Sequence, residues 1–203
     1  MIKNIIFDFG DIFINLDKEA TFRELSKLGV DEIDKESMKV VYQYEEGKIS
    51  TENFVTFFSE KYHISKANII KSWNAILLDF PKHRLDFLKD LSTSKKYRLF
   101  LLSNTNDLHI SWIQNDWGNE LYTEFKNCFE QFYVSHEIGF RKPNAAIYEF
   151  VLQENNLKAA ETFFIDDTKE NTDAAEKLGI KVWNLIPKQE DVVNLQTKKE
   201  FNL

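Results

Sequence analysis

The sequence predicts an α/β fold, a doubly wound parallel sheet with a helical segment inserted after the first strand. Short, continuously apolar runs recur along the chain, as is typical of strands buried on both faces of a parallel sheet. Segments with apolar residues at helical spacing separate most of these runs. The predicted strands are Lys3–Phe7, Arg98–Leu102, Gln131–Val134, Thr162–Ile165 and Lys181–Leu185.

The helical spacing is clearest in three segments outside the insertion. Each places apolar side chains three or four positions apart, which puts them on one face of a helix. These residues are Leu85, Leu88 and Leu91, then Ile147, Phe150 and Val151, and finally Ala174, Ala175 and Leu178.

The segment from Asp17 to Phe80 departs from the alternation of strand and helix. We predict a core of residues 1–16 and 81–203 and a helical cap of residues 17–80, overhanging the sheet edge where α/β proteins bind ligands. The alternative is additional helical packing on the core. Ser50 and Thr51 are candidate caps for the third of the helical patterns. Those patterns span Ala20–Leu28, Glu32–Glu46, Glu52–Tyr62 and Ala67–Ile76.

Composition excludes several classes of protein. The 203 residues are 43% apolar and 29% charged, with a formal charge of −7, as in an acidic globular protein. No apolar run approaches the roughly 20 residues of a membrane helix, and Asp8 comes too early for a signal peptide. A single cysteine, Cys128, excludes an internal disulfide and a cysteine-clustered zinc site. We expect a cytoplasmic monomer or homodimer without nucleic-acid or membrane partners.

Polar residues follow the first two predicted strands. Asp8 comes directly after Ile5-Ile6-Phe7, and Ser103-Asn104 comes directly after Leu99–Leu102. A hydroxyl and free backbone N–H groups at such a position can hold anionic oxygens. Taken alone, however, each stretch is also what a simple turn or helix cap requires.

Two further polar stretches complete the pattern. Pro143 restricts Lys142 to extended backbone, which can fix the direction of its side chain. The pair Asp166-Asp167 follows a buried strand, and such clustered carboxylates repel one another unless a cation offsets the cost. An oxygen-rich donor set suits Mg²⁺, although acids at a helix start are the alternative reading of this pair.

Together, in this order, Asp8, Ser103, Lys142 and Asp166-Asp167 resemble the haloacid dehalogenase superfamily of phosphatases, and the resemblance runs from Ile5 to about Ile186. Further stretches are similar to the branch that includes the bacterial α-glucose-1-phosphate phosphatase. They are Phe7–Gly10, Leu102–Asn106, Arg141–Pro143 and Glu46–Ser50.

The resemblance implies a magnesium centre. Asp8, the backbone carbonyl of Gly10 and Asp167 would hold the ion, Asp166 would support it, and Asn171 is a further candidate for supporting the ion and for contacting substrate. Such a cation would let a carboxylate approach a phosphate dianion.

The resemblance also implies a covalent reaction. Asp8 would be the nucleophile that forms an aspartyl-phosphate, while Lys142 neutralises charge on Asp8 and on the phosphate. Ser103 and the backbone of Asn104 would hold phosphoryl oxygens. The expected substrate is a small phosphorylated metabolite, such as glucose 1-phosphate.

The chain departs from many of these phosphatases at Gly10, where they have a second aspartate acting as general acid and base. Water could protonate the leaving group, Asp11 could replace the missing acid, or the protein could be catalytically silent. Without this second aspartate, phosphomutase activity is disfavoured, and substrates with acidic leaving groups, such as an anomeric hydroxyl, are favoured.

Substrate selection is predicted for the cap, where Glu45 and Glu46 could bind sugar hydroxyls; a solvated helix end is the alternative. Two other functions remain open for the whole chain. One is a metal-independent dehalogenase using Asp8 on carbon, and the other is a ligand-binding or regulatory protein that has lost its chemistry.

Overall fold

A five-stranded parallel sheet forms the centre of the computed structural model, which describes residues 1–201. The strand order is β3-β2-β1-β4-β5, so the first strand lies in the middle with β2 on one side and β4 on the other. The strands are β1 (Asn4–Phe7), β2 (Arg98–Ser103), β3 (Gln131–Val134), β4 (Thr162–Asp166) and β5 (Lys181–Asn184). The five predicted strands are confirmed, with ends shifted by at most one residue.

Both faces of the sheet are buried, as the continuous apolar runs predicted. Side chains alternate between the faces: Ile5 and Phe7 join one hydrophobic cluster, and Ile6 joins the other. The first cluster includes residues of α5 (Lys82–Ser94) and α6 (Asp107–Lys126). On the opposite face pack α8 (Ala145–Glu154) and α9 (Lys169–Lys177). This is the predicted doubly wound α/β architecture.

Four helices lie between β1 and α5, where the helical insertion was predicted. They are α1 (Ala20–Ser26), α2 (Lys35–Glu45), α3 (Thr51–Tyr62) and α4 (Lys66–Asn74). They bury a hydrophobic cluster of their own that includes Leu25, Val41, Phe54 and Ile69. The division into core and cap at residues 17 and 80 stays a prediction.

Side-chain caps fix where these helices begin. The Asp34 carboxylate accepts a hydrogen bond from Ser37 N at 2.9 Å, so α2 begins at Lys35 and not at Glu32 as predicted. Ser50 caps α3 by accepting from Asn53 N at 3.2 Å. Thr51, the other candidate cap, is instead the first residue of that helix.

The remaining elements are short. The helix α7 (Ser135–Ile138) follows β3, and short 3₁₀ helices span Ala159–Glu161 and Val192–Thr197. The second of these 3₁₀ helices buries Val192 and Leu195 against the core. The predicted core extends to residue 203, and its last two residues lie outside the described range. No helix within residues 1–201 is long and apolar enough to span a bilayer.

Candidate active site

The carboxyl ends of β1 and β4 bring three acidic side chains together. Asp8 directly follows β1 and donates its backbone N–H to Ile165 O at 2.8 Å, which ties the two strand ends to each other. Asp166 is the last residue of β4, and Asp167 follows it. One carboxylate oxygen from each of the three acids lies within 4.8 Å of the others. The strand order reverses here, because β1 has β2 on one side and β4 on the other.

Lys142 enters this cluster from the loop between α7 and α8. Its ammonium donates to Asp8 Oδ1 at 2.7 Å, to Asp166 Oδ2 at 2.6 Å and to the Leu102 carbonyl at 2.8 Å. The residue is only 1% exposed, and these three acceptors match the three donors of an ammonium. That Pro143 fixes the direction of this lysine side chain stays a prediction.

Asn104 holds the backbone of Lys142 in place. The Asn104 Oδ1 accepts from Lys142 N at 2.8 Å, and the Asn104 Nδ2 donates to Lys142 O at 2.9 Å. The sequence predicted a phosphate-binding role for the Asn104 backbone and missed this role of its side chain. The residues that follow β2 therefore help to position the lysine.

Asp166 is the most enclosed of the three acids. Its carboxylate accepts from Lys142, from Thr168 N at 2.8 Å and, at 3.1 Å on each oxygen, from Asn171 Nδ2. Asn171 is itself held in place, because its backbone carbonyl accepts a hydrogen bond from the Tyr148 hydroxyl at 2.8 Å. Asn171 thus orients Asp166, and its predicted contact with substrate stays a prediction.

Burial is the largest influence on the pKa values of the cluster, followed by the attraction between lysines and carboxylates and then by repulsion among the acids. Burial raises the pKa of Asp8 to about 7, against the opposing effect of Lys142, and Asp166 and Asp167 add to the rise. Burial also raises the pKa of Asp167. Burial disfavours the charged form of Lys142, yet the adjacent carboxylates outweigh it and the pKa of Lys142 is raised.

The donor set fits Mg²⁺. Three clustered carboxylates and one ammonium leave an excess of negative charge when all four groups are ionised, and a divalent cation would offset it. All three acids offer oxygen, the ligand that Mg²⁺ prefers. Gly10 lines the same cavity, and its carbonyl as a ligand stays a prediction.

The cavity above the acids has a volume of about 280 Å³. Ser103, the last residue of β2, is 4% exposed and lines the cavity next to Asn104. Their role in holding phosphoryl oxygens stays a prediction. The other lining residues are Asp8, Gly10, Leu16, Lys18, Tyr42, Arg141, Lys142, Pro143, Asp167, Thr168, Glu170 and Asn171.

Asp11 lies in the adjoining turn and lines a neighbouring cavity of about 830 Å³. Its φ is 54°, and its carboxylate accepts from Leu16 N at 3.0 Å and lies 3.3 Å from the Lys18 ammonium. These contacts hold the Asp11 carboxylate, which is the candidate replacement for the general acid that is missing at Gly10.

The two glutamates predicted for substrate binding both have cationic partners. Glu45 Oε2 accepts from Arg141 Nε at 2.9 Å, and Glu46 lies 2.7 Å from the Lys48 ammonium. Burial raises the pKa of Glu45, against the opposing effect of Arg141. Their predicted contacts with sugar hydroxyls remain untested.

Sequence reasoning missed several residues at the cavity, among them Lys18, Tyr42 and Arg141. Lys18 pairs with Asp167, and the Arg141 guanidinium stacks over the Tyr42 ring at 4.2 Å. Lys18 and Tyr42 come from the predicted cap, and their local sequence shows no motif. For Arg141, the indication in the sequence was its position as a basic residue next to Lys142.

A larger cavity, of about 800 Å³, lies at the opposite edge of the sheet. Its two carboxylates are ion-paired, Glu161 with Lys3 at 2.9 Å and Glu130 with Arg98 at 2.5 Å. The acidic cluster and the buried ammonium identify the smaller cavity as the candidate active site.

Comparison with known proteins agrees with this geometry. Residues 5–185 match the profile of a family described as haloacid dehalogenase-like hydrolase. A curated relative, D-ribitol-5-phosphate phosphatase of Bacteroides thetaiotaomicron, is 26% identical over 190 residues, covering 90% of this chain and 91% of the relative.

Solved structures share the fold over nearly the whole chain. A HAD family enzyme of Bacteroides thetaiotaomicron, crystallised with magnesium and inorganic phosphate, is 32% identical with a TM-score of 0.83, and the match covers 96% of this chain and 99% of that one. A HAD-like family hydrolase of Porphyromonas gingivalis is 28% identical with a TM-score of 0.85, with 97% of each chain covered.

Proposed function

The chain belongs to the haloacid dehalogenase-like hydrolase family, and from this membership we propose that it hydrolyses sugar or sugar-alcohol phosphates through an intermediate on Asp8. It is a phosphatase of small phosphorylated metabolites that uses Mg²⁺. The observation that supports the proposed mechanism most directly is the meeting of Asp8, Asp166 and Asp167 with Lys142 at one cavity.

We assign the metal to the acidic side of the cavity. Asp8, Asp167 and the Gly10 carbonyl would ligate Mg²⁺, and Asp166, held by Lys142 and Asn171, would support it. When bound, the ion supplies positive charge that lowers the repulsion between the Asp8 carboxylate and a phosphate dianion.

The protein side chains then divide the reaction into two displacements. An Asp8 oxygen attacks phosphorus, the bond from phosphorus to the ester oxygen breaks, and the departing oxygen takes a proton from water. Water next attacks the phosphorus of the aspartyl-phosphate, which returns the Asp8 carboxylate and releases inorganic phosphate. Lys142, 2.7 Å from Asp8, and Ser103 would stabilise the charge on the phosphoryl oxygens.

The residue at position 10 bears on the choice of substrate. Because position 10 is glycine, no carboxyl group lies two residues after Asp8 to protonate the leaving group. The neighbouring Asp11 carboxylate accepts a hydrogen bond from Leu16 N. We therefore expect esters with acidic leaving groups to react faster, so that glucose 1-phosphate exceeds glucose 6-phosphate.

Two alternatives make different predictions. A dehalogenase acting on carbon needs no metal, whereas the acidic pair after β4 favours a metal-dependent reaction. A binding protein without catalysis would retain the fold and lack turnover. The preserved cluster of Asp8, Lys142 and Asp167 favours catalysis over both alternatives.

The test is phosphate release by the wild type and by Asp8→Asn, with Mg²⁺ or with a chelator. The esters are p-nitrophenyl phosphate, glucose 1-phosphate, glucose 6-phosphate and ribitol 5-phosphate. Asp173→Asn is the matched control, because Asp173 pairs with Lys169 on the surface of α9. We expect release only from the wild type and the control, and only with Mg²⁺. Background release from all three proteins on every ester would refute the proposal.

A further inference from the structure

A second cavity of about 390 Å³ adjoins the active site. It shares Tyr42, Arg141 and Pro143 with the active-site cavity, so these three residues form the boundary between the two spaces. The remaining lining residues are Lys39, Gln43, Glu46, Lys48 and Asn144. A substrate whose phosphoryl group lies at Asp8 would place its non-reacting end beside this boundary.

Arg141 is held at this boundary in a fixed orientation. Its Nε donates to Glu45 at 2.9 Å, and its guanidinium lies over the Tyr42 ring with 4.2 Å between the guanidinium carbon and the ring centroid. Within residues 1–201, the two terminal amino groups of Arg141 have no hydrogen-bond partner. The side chain is therefore anchored by one nitrogen and one face, which leaves two donors for a ligand.

The turn after α2 fixes the anchoring residue against the core. Gly47 has a φ of 65°, and a Cβ at this position would lie 2.0 Å from the His136 carbonyl oxygen. Only glycine permits so close an approach of the two backbones. This contact places Glu45 beside Arg141 and brings Lys48 to the wall of the second cavity.

The charge of the second cavity is positive, against the net charge of −7 for the whole chain. Lys39, Lys48 and Arg141 line it together with one acid, Glu46, which pairs with Lys48. Glu45, which pairs with Arg141, is not a lining residue. Lys39 takes part in no ion pair within the described residues. An anionic group entering this space would meet two guanidinium donors and one unpaired ammonium.

We propose that the preferred substrate has a second anionic group, a carboxylate or a second phosphate, at the end opposite the reacting phosphate. Arg141 and Lys39 bind this group, and Glu45 is a positioning residue that orients Arg141. The proposal rests on the proposed function, because it places the reacting phosphate at Asp8. It narrows the substrate from any sugar phosphate to one with an acidic tail.

The test compares three ligands that differ only at the tail. Ribitol 5-phosphate ends in a neutral hydroxymethyl group, ribonate 5-phosphate in a carboxylate, and ribitol 1,5-bisphosphate in a second phosphate. Calorimetry on Asp8→Asn with Mg²⁺ measures affinity without turnover, and steady-state kinetics on the otherwise wild-type chain gives KM and kcat separately.

We expect at least one of the two anionic-tail ligands to bind about 10- to 100-fold more tightly than ribitol 5-phosphate, because one hydrogen bond between charged groups changes the affinity by a factor of that size. Arg141→Gln should abolish most of this preference, weakening the binding of the anionic-tail ligands and raising the KM for them towards that for ribitol 5-phosphate. The double variant Glu45→Gln/Arg141→Gln avoids leaving Glu45 buried without its partner and should show the same loss. Lys158→Gln, which removes a cation at the opposite sheet edge, is the control.

Equal affinity for all three ligands, or a preference that survives in both Arg141 variants, would overturn the inference. That result differs from a failure of the proposed function, which would appear as absent phosphate release from every ester. The carboxylate and bisphosphate arms decide which anion the second cavity accepts.

Discussion

The side chain of Asn104 and the backbone of Lys142 exchange two hydrogen bonds, of 2.8 and 2.9 Å, one in each direction. The two residues belong to different loops at the same sheet edge. This pairing fixes the starting point of the lysine side chain, and the ammonium then reaches Asp8 and Asp166.

Asn104→Ala therefore tests whether positioning the lysine matters for catalysis. We expect kcat to fall by about 10- to 100-fold, since misplacing a catalytic group by about 1 Å can have an effect of that size. The loss of two hydrogen bonds should lower the free energy of unfolding by about 1–3 kcal/mol. Steady-state kinetics and urea unfolding measure the two effects. An unchanged kcat in a destabilised protein would show that the pairing is structural only.

Asp8→Asn should stabilise the metal-free protein while abolishing turnover. The pKa of Asp8 is raised to about 7, mainly by burial, so ionisation of this group above pH 7 costs folding free energy. The stability associated with its protonated form is present below the unfolded pKa near 3.8 and is lost as the pH rises through about 7. At pH 8 in a chelator, we expect the variant to exceed the wild type by about 1–4 kcal/mol.

That gain should shrink at pH 5, where Asp8 is largely protonated, and also when Mg²⁺ is added to the wild type. At 100 times its Kd, bound Mg²⁺ stabilises a protein by about 2.7 kcal/mol. Urea unfolding at both pH values, with and without the metal, gives all four comparisons. A variant less stable than the wild type at pH 8 in chelator would contradict this account.

The burial of His109 predicts a second effect of pH on folding stability, opposite in sign to that of Asp8. It stacks on Trp73, and its Nε2 donates to the Trp73 carbonyl at 3.2 Å. Burial lowers the pKa of His109 to about 4 from 6.5, so the unfolded chain binds a proton more readily between these values. Stability from this group is therefore lost as the pH falls from 6.5 towards 4, by about 3 kcal/mol in total.

In His109→Gln, whose amide can replace the donor to Trp73, this part of the acid sensitivity should disappear. The measurement is the difference in unfolding free energy between wild type and variant from pH 4 to 7. Burial also lowers the pKa of His136, which is present in both proteins, so the difference reports His109 together with its electrostatic interaction with His136. A difference that is constant with pH would show that His109 does not limit acid stability.

Restoring an acid two positions after Asp8 tests the departure at Gly10. A Cβ at Gly10 would lie 2.6 Å from Leu16 Cδ1, so Gly10→Asp requires this leucine to move, and Leu16→Ala in the same chain makes the room. We expect the double variant to hydrolyse glucose 6-phosphate on the order of tenfold faster than Leu16→Ala alone, below the about 10²–10⁴-fold of an optimised acid.

Hydrolysis of p-nitrophenyl phosphate should change little in the same variant, because its leaving group needs no protonation. The comparison of the two esters separates acid catalysis from a general change in the site. Equal acceleration of both esters would argue that the aspartate acts on binding or on the metal.

The sequence predicts the strands and helices that follow from local residue patterns. It does not predict the contacts between residues that are far apart in the chain. The strands and the acids that follow them are evident because each carboxylate directly ends an apolar run, as Asp8 and Asp166 do. The helix α6 was not among the predicted helical patterns: Gly118, at a φ of 77°, interrupts its regular geometry. The pairing of Glu45 with Arg141 joins positions 96 residues apart, and no local pattern contains it.

The same limit applies to the candidate site. The meeting of Asp8, Lys142, Asp166 and Asp167 is accessible to sequence reasoning, because the carboxyl ends of neighbouring parallel strands lie at one edge of the sheet. Lys18 and Tyr42 reach the cavity from the inserted helices and their connections, whose orientation depends on packing across the whole fold. The actual partner of Glu45 likewise became evident only from the folded chain.

The strand order separates β1 from its two neighbours along the chain. β1 ends at Phe7, whereas its partners β2 and β4 begin at Arg98 and Thr162. During synthesis, β1 therefore has no sheet partner until β2 has been made, and its second edge stays unpaired until β4 follows. The pairing of Asp8 with Lys142, 134 positions apart, likewise forms only after β3 has been made.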